Sequence, residues 1–496
     1  MESSEKQYIL TLDQGTTSSR AMLVNRAGEV CSLAQRELKQ YFPQPGWVEH
    51  DPREIWSSQF AVATEALMKI GVSPDEIAAI GIANQRETTV VWHRETGDPL
   101  YPAIVWQDHR TAQQCERMID RGFKDIIKQN TGLEVDAYFS ATKIQWILDH
   151  VSNAREMAEQ GLLAFGTIDS WLIWKLTGGA VHATDVTNAS RTMLFNIHTL
   201  CWDVELMDLF GIPMSMMPEV KTNSEIYGHT AGRFIATPIP IAGVAGDQQA
   251  ALFGQLCLKK GMLKNTYGTG CFIVMNTGEE ALFSENKLIT TIAWKLNNRV
   301  TYALEGSVFT GGAVVQWLRD GLEIIDHAAD IEQLALTVND NGGVCFIPAF
   351  TGLGAPYWEQ QAQGLLYGIT RGTQRGHIAR SALEAIALQS LDVMRAMERD
   401  TGIEITQLRV DGGASANDLL MQYQADFLQS KVERPGNIET TALGAAFFAG
   451  LAVGFWNDLN ELQLSQKNNR TFVPMKSKFD VQPIVDRWHK IVKKSF

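Results

Sequence analysis

The sequence predicts an α/β protein built from two similar halves around a central cleft. Apolar strand-like runs alternate with segments of helical periodicity, which is typical of α/β domains. Two stretches, 8–20 and 261–276, share one pattern: a strand, a turn rich in glycine and hydroxyl side chains, and a second strand. A length of 496 residues is also too great for one hydrophobic core. We therefore predict two domains, 1–254 and 255–496, each contributing one such turn to the cleft.

The composition indicates a soluble protein of the cytoplasm. A formal net charge of −13 disfavours a nucleic-acid or anionic-membrane surface. Six cysteines occur without C-x-x-C spacing, which favours reduced thiols over disulfides or a zinc site. The opening MESSEKQ is too polar for a signal peptide, and the uncharged run 440–456 is too short and too rich in small residues to span a bilayer. We expect no nucleic-acid partner and no membrane insertion.

Helix-end signals and apolar spacing predict the order of the elements. Asp51, Pro52 and Glu54 mark the start of one helix, and Gly71 marks its end. Other helices are predicted at about 107–128, 140–150 (capped by Ser140), 169–177, 313–321, 376–400, 417–429 and 440–454. Strands are predicted at 77–83, in a hairpin at 90–106 that turns at 96–98, and at 301–306, 344–348 and 407–411. The stretch 238–256 is predicted to be a strand, a sharp turn at Asp247 and a helix.

The stretch YILTLDQGTTSSR at 8–20 predicts a phosphate-binding turn. Gly15 lets the backbone turn sharply and brings amide groups close to an anion, and Arg20 supplies a planar fork suited to phosphate. Asp13 would repel phosphate unless a cation lay between them, and Mg²⁺ is usually held by one or two carboxylates together with substrate phosphates. The hydroxyl donors of the turn are Thr16, Thr17, Ser18 and Ser19. From composition alone, a polar hairpin turn without a ligand is an equally good interpretation.

Three further stretches fit phosphoryl transfer from a nucleotide, which depends mainly on positioning and charge stabilisation. Thr266–Gly270 is a second glycine- and hydroxyl-rich turn, suited to hold phosphates from the opposite domain. Gly412–Gly413 ends a strand before a helix, where bare backbone lets a nucleoside lie flat. Asn417 can cap that helix or contact the ligand. Gly311–Gly312, with Gln316 one turn further on, offers a similar platform.

For the acceptor of the phosphoryl group, Asp247 is the candidate general base. It lies on a tight turn that opens a helix, where backbone donors keep a carboxylate ionised and able to take a proton from an alcohol. A structural aspartate at the N-cap is the alternative, and local sequence alone favours it. Arg86 and Glu87 follow a buried strand and offer complementary groups to a polyol, with a surface ion pair as the alternative. The sequence lacks the motifs of P-loop NTPases and protein kinases.

Longer stretches of the sequence resemble the FGGY carbohydrate kinases. Two signatures of that family stand essentially complete, at 138–150 and at 364–384. The resemblance extends from about residue 8 to about residue 460, and chance agreement over so many motifs is negligible. The shorter stretches similar to family members that phosphorylate glycerol are LDQGTTSSRA, GWVEHDP, NQRETT, NASRTMLFNIHTL, GDQQAALFGQL, KNTYGTGCF, FTGLGAPYW and TALGAA.

The resemblance implies two duplicated domains of the actin-like, ribonuclease-H-like fold around a central nucleotide-binding cleft. It also implies transfer from MgATP to the terminal hydroxyl of glycerol, giving sn-glycerol 3-phosphate in the first step of glycerol catabolism, and a homodimer or homotetramer. The implied glycerol contacts are Arg86, Glu87, Tyr138, Asp247 (the base) and Gln248, with Trp106 and Phe272 as an apolar wall. The implied phosphate contacts are Thr16, Thr17, Ser18 and Arg20, with Asp13 near Mg²⁺. The implied ATP or ADP contacts are Thr269, Gly312, Gln316, Gly413 and Asn417.

Two rival functions stay open on the sequence. A related kinase for a pentulose, a tetritol or another polyol would use the same cofactor, although the bulky Trp106 and Phe272 favour a small, linear acceptor. An actin- or chaperone-like ATPase, whose product is a conformational change, would not need the acceptor residues.

The loop at 227–237 bears on regulation. Some family members are controlled by fructose 1,6-bisphosphate at a glycine-rich, arginine-containing loop, and others by phosphorylation of a histidine. In this chain the loop contains His229 and Arg233 but neither full pattern. We therefore predict that this protein is controlled neither by fructose 1,6-bisphosphate nor by phosphorylation of a histidine.

Overall fold

The computed structural model describes residues 6–232, 237–359, 361–465 and 469–496. The strands are β1 (Tyr8–Gln14), β2 (Ser18–Asn25), β3 (Val30–Glu37), β4 (Glu49–His50), β5 (Ile77–Asn84), β6 (Val90–His93), β7 (Ala103–Ile104), β8 (Leu163–Gly166), β9 (Ala183–Asp185), β10 (Phe195–Asn196), β11 (Cys201–Trp202), β12 (Glu219–Lys221), β13 (Ser224–His229), β14 (Pro240–Gly246), β15 (Leu263–Tyr267), β16 (Cys271–Gly278), β17 (Ile289–Leu296), β18 (Arg299–Val308), β19 (Cys345–Ile347), β20 (Leu365–Tyr367), β21 (Gln407–Asp411), β22 (Lys431–Arg434) and β23 (Arg470–Phe472). The helices are α1 (Pro52–Ile70), α2 (Ala112–Asp120), α3 (Lys124–Thr131), α4 (Ser140–His150), α5 (Ala154–Glu159), α6 (Ile168–Leu176), α7 (Val186–Ala189), α8 (Val204–Phe210), α9 (Asp247–Gly254), α10 (Ala313–Asp320), α11 (Asp330–Ala335), α12 (Arg375–Thr401), α13 (Asp418–Leu428), α14 (Thr440–Ala452), α15 (Leu459–Ser465) and α16 (Lys478–Val492).

The first helix shows how local sequence sets an element. The side chain of Asp51, the N-cap of α1, accepts a hydrogen bond from the backbone N–H of Arg53, and Pro52 occupies the first helical position. Gly71 ends the helix with a φ of 69°, a left-handed conformation that glycine adopts without a steric penalty. The bounds predicted for this helix are confirmed.

Two sheets form the centres of two domains. The N-terminal sheet has the strand order β13-β14-β5-β1-β2-β3, and the C-terminal sheet has the order β17-β18-β16-β15-β21-β22-β23. Buried apolar clusters fill the space between each sheet and the helices that cover it. The predicted α/β class with two domains is confirmed.

The two sheets share one topology. The order β3-β2-β1-β5-β14-β13 corresponds strand for strand to β18-β16-β15-β21-β22-β23, with the same parallel and antiparallel pairings. The first hairpin of each domain turns at equivalent places, through residues 15–17 in one and 268–270 in the other. The duplication expected from the repeated strand–turn–strand pattern is therefore present in the fold.

Two helices lie at the junction of the domains. Helix α9 follows β14 and contacts β15 and β16 of the other sheet, while α14 packs against β1, β5 and β14. Glycine permits this close packing, because a Cβ on Gly444 would lie 1.9 Å from the carbonyl oxygen of Ala250, and one on Gly81 2.3 Å from that of Ala445. The small residues of the run 440–456 thus serve helix packing. Among the described residues, no helix is both long enough and apolar enough to cross a membrane.

Two predictions around the second and fourth helices are wrong in detail. The helix predicted at 107–128 is two helices, α2 and α3, because Gly122 between them takes a left-handed conformation with a φ of 84°. Ser140 is the first residue of α4, and Phe139 occupies the N-cap position. The Ser140 hydroxyl donates to the backbone of a distant strand end instead of capping its own helix.

Two other segments also differ from expectation. The arms of the hairpin at 90–106 are joined by the isolated bridges Thr89–Ile104 and Trp92–Pro99 rather than by a continuous ladder. Pro99 contributes to this interruption because proline has no backbone N–H to donate. Helix α16 was not predicted, because the chain beyond about residue 465 carries no matching motif.

Candidate active site

The candidate acceptor site lies where two neighbouring parallel strands end. Strands β5 and β14 pair in parallel, and Asn84 lies opposite Gly246 at their carboxyl ends. The residues that follow bring Arg86 and Asp247 together, with 3.4 Å between Arg86 Nε and Asp247 Oδ1. A Cβ on Gly246 would lie 2.7 Å from the Arg86 side chain, so glycine is needed for this approach. The carboxyl ends of strands are where open α/β sheets bind ligands.

Arg86 belongs to a buried group of two arginines and two glutamates. Its Nη1 and Nη2 atoms donate to the two carboxylate oxygens of Glu305 at 2.5 and 2.8 Å. Arg191 donates to Glu87 at 2.6 Å and to Glu305 at 3.2 Å. Burial alone would raise the pKa of Glu305, but Arg191 and Arg86 lower it to about 2. These four charges neutralise one another, and their burial rules out a surface ion pair at 86–87.

Asp247 is the first residue of α9, and Gly246 occupies its N-cap, so the alternative of an N-cap aspartate does not hold. Its Oδ1 accepts from the backbone N–H of Gln248 at 2.7 Å, and its side chain is 28% exposed. Burial raises the pKa of Asp247, while Arg86 and Lys264 oppose the rise. A partly exposed carboxylate with a raised pKa is the form expected of a general base.

Three aromatic rings form a wall beside these polar groups. Trp106 lies edge-on to Tyr138 with 5.5 Å between ring centroids, and edge-on to Phe272 with 6.2 Å. The hydroxyl of Tyr138 accepts from Arg86 Nη2 at 3.4 Å. Trp106 Nε1 donates to the hydroxyl of Thr16 at 2.9 Å, which joins the wall to the turn at 15–17.

The turn at 15–17 is closed by the backbone N–H of Gly15, which donates to the carbonyl oxygen of Ser18 at 3.0 Å. Arg20 forms an ion pair with Glu439 of the other domain at 3.1 Å. Burial raises the pKa of Asp13 to about 7; Arg20 opposes the rise, and Glu439 adds to it. Asp247 also adds to the rise, so three carboxylates share this end of the cleft with Arg20.

The predicted nucleotide residues gather around the second turn. The backbone N–H groups of Gly311 and Gly312 donate to the carbonyl oxygens of Thr269 and Gly268, each at 2.8 Å. A Cβ on Gly312 would lie 3.7 Å from that of Ala414, so the 311–312 and 413–414 segments are neighbours. Thr269, Gln316 and Gly413 are exposed. Asn417 caps α13 through a hydrogen bond from Leu420 N–H at 2.8 Å, which is one of its two anticipated roles.

The sequence-based prediction of the site omitted several charged residues that the structure brings to it. Glu305 and Lys264 lie on β18 and β15, and Arg191 follows α7. Lys264 Nζ donates to the side chains of Gln248 at 2.5 Å and Thr266 at 2.6 Å. The available signal was a single charged residue within an otherwise apolar strand, as in TYALEG and GMLKNTYG.

Arg233, named in the loop at 227–237, lies outside the described residues.

Two α/β domains of one topology with glycine turns facing a cleft define the actin-like ATPase fold. Residues 8–254 match the N-terminal domain of the FGGY family of carbohydrate kinases, and residues 263–453 match its C-terminal domain. The chain belongs to this family.

Similar proteins cover almost the full chain. A glycerol kinase of Paraburkholderia phytofirmans is 60% identical over 489 residues, covering 99% of this chain and 98% of its own length. A glycerol kinase of Chromobacterium violaceum is 60% identical over 486 residues, covering 98% and 97%. Among solved structures, Plasmodium falciparum glycerol kinase with ADP superposes with a TM-score of 0.92 at 36% identity, covering 99% of both chains.

Proposed function

We propose that this protein transfers the γ-phosphoryl group of ATP to the terminal hydroxyl of glycerol. The observation that carries the proposal is the pair Arg86–Asp247 at the adjoining ends of β5 and β14, flanked by the aromatic wall. Relatives named glycerol kinase at 60% identity over nearly the whole chain support the same reaction.

The proposed acceptor site uses both polar and apolar groups. Arg86, Glu87, Tyr138 and Gln248 hydrogen-bond the glycerol hydroxyls, while Trp106 and Phe272 pack against its carbon chain. Asp247 accepts the proton of the terminal hydroxyl as that oxygen attacks in line. Arg86 lies 3.4 Å from Asp247 but also pairs with both carboxylate oxygens of Glu305, so Asp247 shares the charge of Arg86 with a second carboxylate.

The proposed donor site is divided between the two turns. Thr16, Thr17, Ser18 and Arg20 contact the β- and γ-phosphates, and Thr269, Gly312, Gln316, Gly413 and Asn417 contact the rest of the nucleotide. The carboxylates of Asp13, Glu439 and Asp247 interact electrostatically at this end of the cleft, and carboxylate oxygens beside substrate phosphates fit a hard cation. Asp13 would hold Mg²⁺, which neutralises charge on the transferring phosphoryl group when bound.

We further propose a division of the chain at Gly254, a cytoplasmic location and a homodimer or homotetramer. The end of the first family match at residue 254 supports the boundary. The six cysteines, all free, suit a reducing compartment. The subunit number rests on analogy with the family.

The test is MgATP-dependent ADP release in a coupled assay, with glycerol, xylulose, erythritol or no acceptor. We expect strong stimulation by glycerol alone, because buried polar partners reject acceptors whose hydroxyls they cannot match. Preferential stimulation by xylulose or erythritol would identify a different sugar or polyol kinase. Equal rates with and without every acceptor would contradict an acceptor kinase and favour a conformational ATPase.

A further inference from the structure

Glu87 has an unusual backbone conformation. Its φ of 61° is left-handed, which is uncommon for a residue other than glycine. Across it, the backbone N–H of Thr88 donates to the carbonyl oxygen of Arg86 at 2.6 Å. The three residues therefore form a γ-turn of the rare positive-φ kind, which is strained. Strain of this sort persists only where the surroundings hold it.

Ser140 supplies a contact that holds this turn from outside. Its hydroxyl donates to the carbonyl oxygen of Glu87 at 2.9 Å, and its side chain is fully buried. The hydroxyl of Thr89 also donates to that oxygen, at 3.1 Å. Thr89 follows the turn directly and is held by backbone hydrogen bonds with Ile104, whereas Ser140 comes from α4, 53 residues along the chain. Ser140 therefore ties the turn to α4, beside the hydrogen bond that it receives from its own strand through Thr89.

The segment that carries Ser140 is itself anchored. The buried ammonium of Lys143 donates to the carbonyl oxygens of Ala137 at 2.6 Å, Tyr138 at 2.7 Å and Phe139 at 3.1 Å. An ammonium group has three N–H donors, so these bonds use all of them. Lys143 thus makes the start of α4 and the preceding loop one rigid unit.

We propose that Ser140 is a positioning residue for the acceptor site: its hydrogen bond holds the γ-turn that keeps the Glu87 carboxylate beside Arg86. This inference rests on the proposed function, in which both side chains bind glycerol. Without the hydroxyl, the carbonyl oxygen of Glu87 keeps only the longer bond from Thr89, and the strained turn relaxes towards an ordinary φ. The carboxylate of Glu87, which now accepts from Arg191, then leaves its place in the site.

The experiment compares Ser140→Ala with Ser32→Ala. Ser32 is also buried, and its hydroxyl donates to the carbonyl oxygen of Ala66 at 2.7 Å, away from the cleft. Loss of one hydrogen bond predicts a rise of about three- to tenfold in the KM for glycerol for Ser140→Ala, with the KM for MgATP unchanged. Ser32→Ala loses an equivalent bond and is expected to change neither constant. Equal effects of the two substitutions on the glycerol KM would overturn the inference.

A double-mutant cycle with Glu87→Gln tests whether Ser140 acts through Glu87. If it does, Ser140→Ala changes kcat/KM for glycerol far less in the Glu87→Gln background than in the wild type. Full additivity would overturn the inference.

A crystal structure of Ser140→Ala shows, without any activity assay, whether Ser140 holds the γ-turn at Glu87. We expect the φ of Glu87 to leave the left-handed region, and a φ that stays near 61° would overturn the inference. If the wild type releases no ADP in response to glycerol, the proposed function fails, but this crystallographic result still decides whether Ser140 holds the turn.

Discussion

At the scale of single residues, the acceptor site depends on charges that cancel inside the protein. Replacing Glu305 by Gln leaves Arg86 and Arg191 with one buried carboxylate, Glu87, to neutralise both. Removing one partner of a buried pair costs about 3–5 kcal/mol of unfolding free energy, so we expect a clear fall in the melting temperature. The matched control is Glu279→Gln, whose partner Arg299 is 79% exposed; it should change stability by less than about 0.5 kcal/mol.

The pH dependence of the same variant follows from the pKa of Glu305. Because that pKa is about 2 in the folded protein and ordinarily 4.5, the stabilisation is fully present above pH 4.5. It is lost as the pH falls from 4.5 towards 2. The melting temperatures of the wild type and of Glu305→Gln should therefore converge as the solution is acidified over that range. A difference that stays constant with pH would contradict the role of the charge.

Asp247→Asn tests the base directly. The amide keeps the shape of the side chain but cannot accept the proton, so we expect kcat to fall by at least about 10²-fold. The KM for MgATP should change little, because Asp247 lies on the acceptor side. Steady-state kinetics with Asp98→Asn, at a side chain that is 67% exposed, provides the control. Unchanged turnover of Asp247→Asn would remove this residue from its proposed role.

At the scale of elements, the junction depends on helices that touch through backbone. A Cβ on Gly444 of α14 would lie 1.9 Å from the carbonyl oxygen of Ala250 of α9. Neither backbone can move without disturbing its sheet, so we expect Gly444→Ala to cost roughly 2–3 kcal/mol or more, as overpacking does. Gly372→Ala, where the nearest atom would be 3.8 Å away, should be close to neutral in thermal unfolding. Equal melting temperatures for both variants would show that the helices can separate.

Most elements could be predicted from the sequence because their signals are local. The caps of α1 and the apolar runs of β5 and β21 lie within the segments they define. The role of Ser140 could not be predicted, because its hydroxyl bonds a carbonyl 53 residues away rather than its own helix. The role of Glu305 could not be predicted either, because its partners Arg86 and Arg191 are distant in the sequence and belong to the other domain.

At the scale of the whole molecule, the ion pair that links the domains at the proposed phosphate site bears on nucleotide binding. Arg20, a proposed phosphate contact, is paired with Glu439 at 3.1 Å. Removing the carboxylate frees the guanidinium and lowers the negative charge near the phosphates. A partly exposed pair is worth up to about 1 kcal/mol, so Glu439→Gln should lower the Kd for ADP by up to about fivefold in calorimetric titration. Glu461→Gln, which breaks the pair with Arg26, should leave that Kd unchanged, and weaker binding by Glu439→Gln would contradict the expectation.

The placement of α14 has a consequence for how the chain is made. The N-terminal sheet is covered at β1, β5 and β14 by a helix that starts at Thr440, 186 residues (440 minus 254) after Gly254. At about 5–20 residues per second, a ribosome takes roughly 10–40 s to synthesise that interval. During this time the face that holds Gly81 has no covering helix. Nascent chains arrested before residue 440 are thus expected to expose the apolar face of the N-terminal sheet that α14 covers in the folded protein.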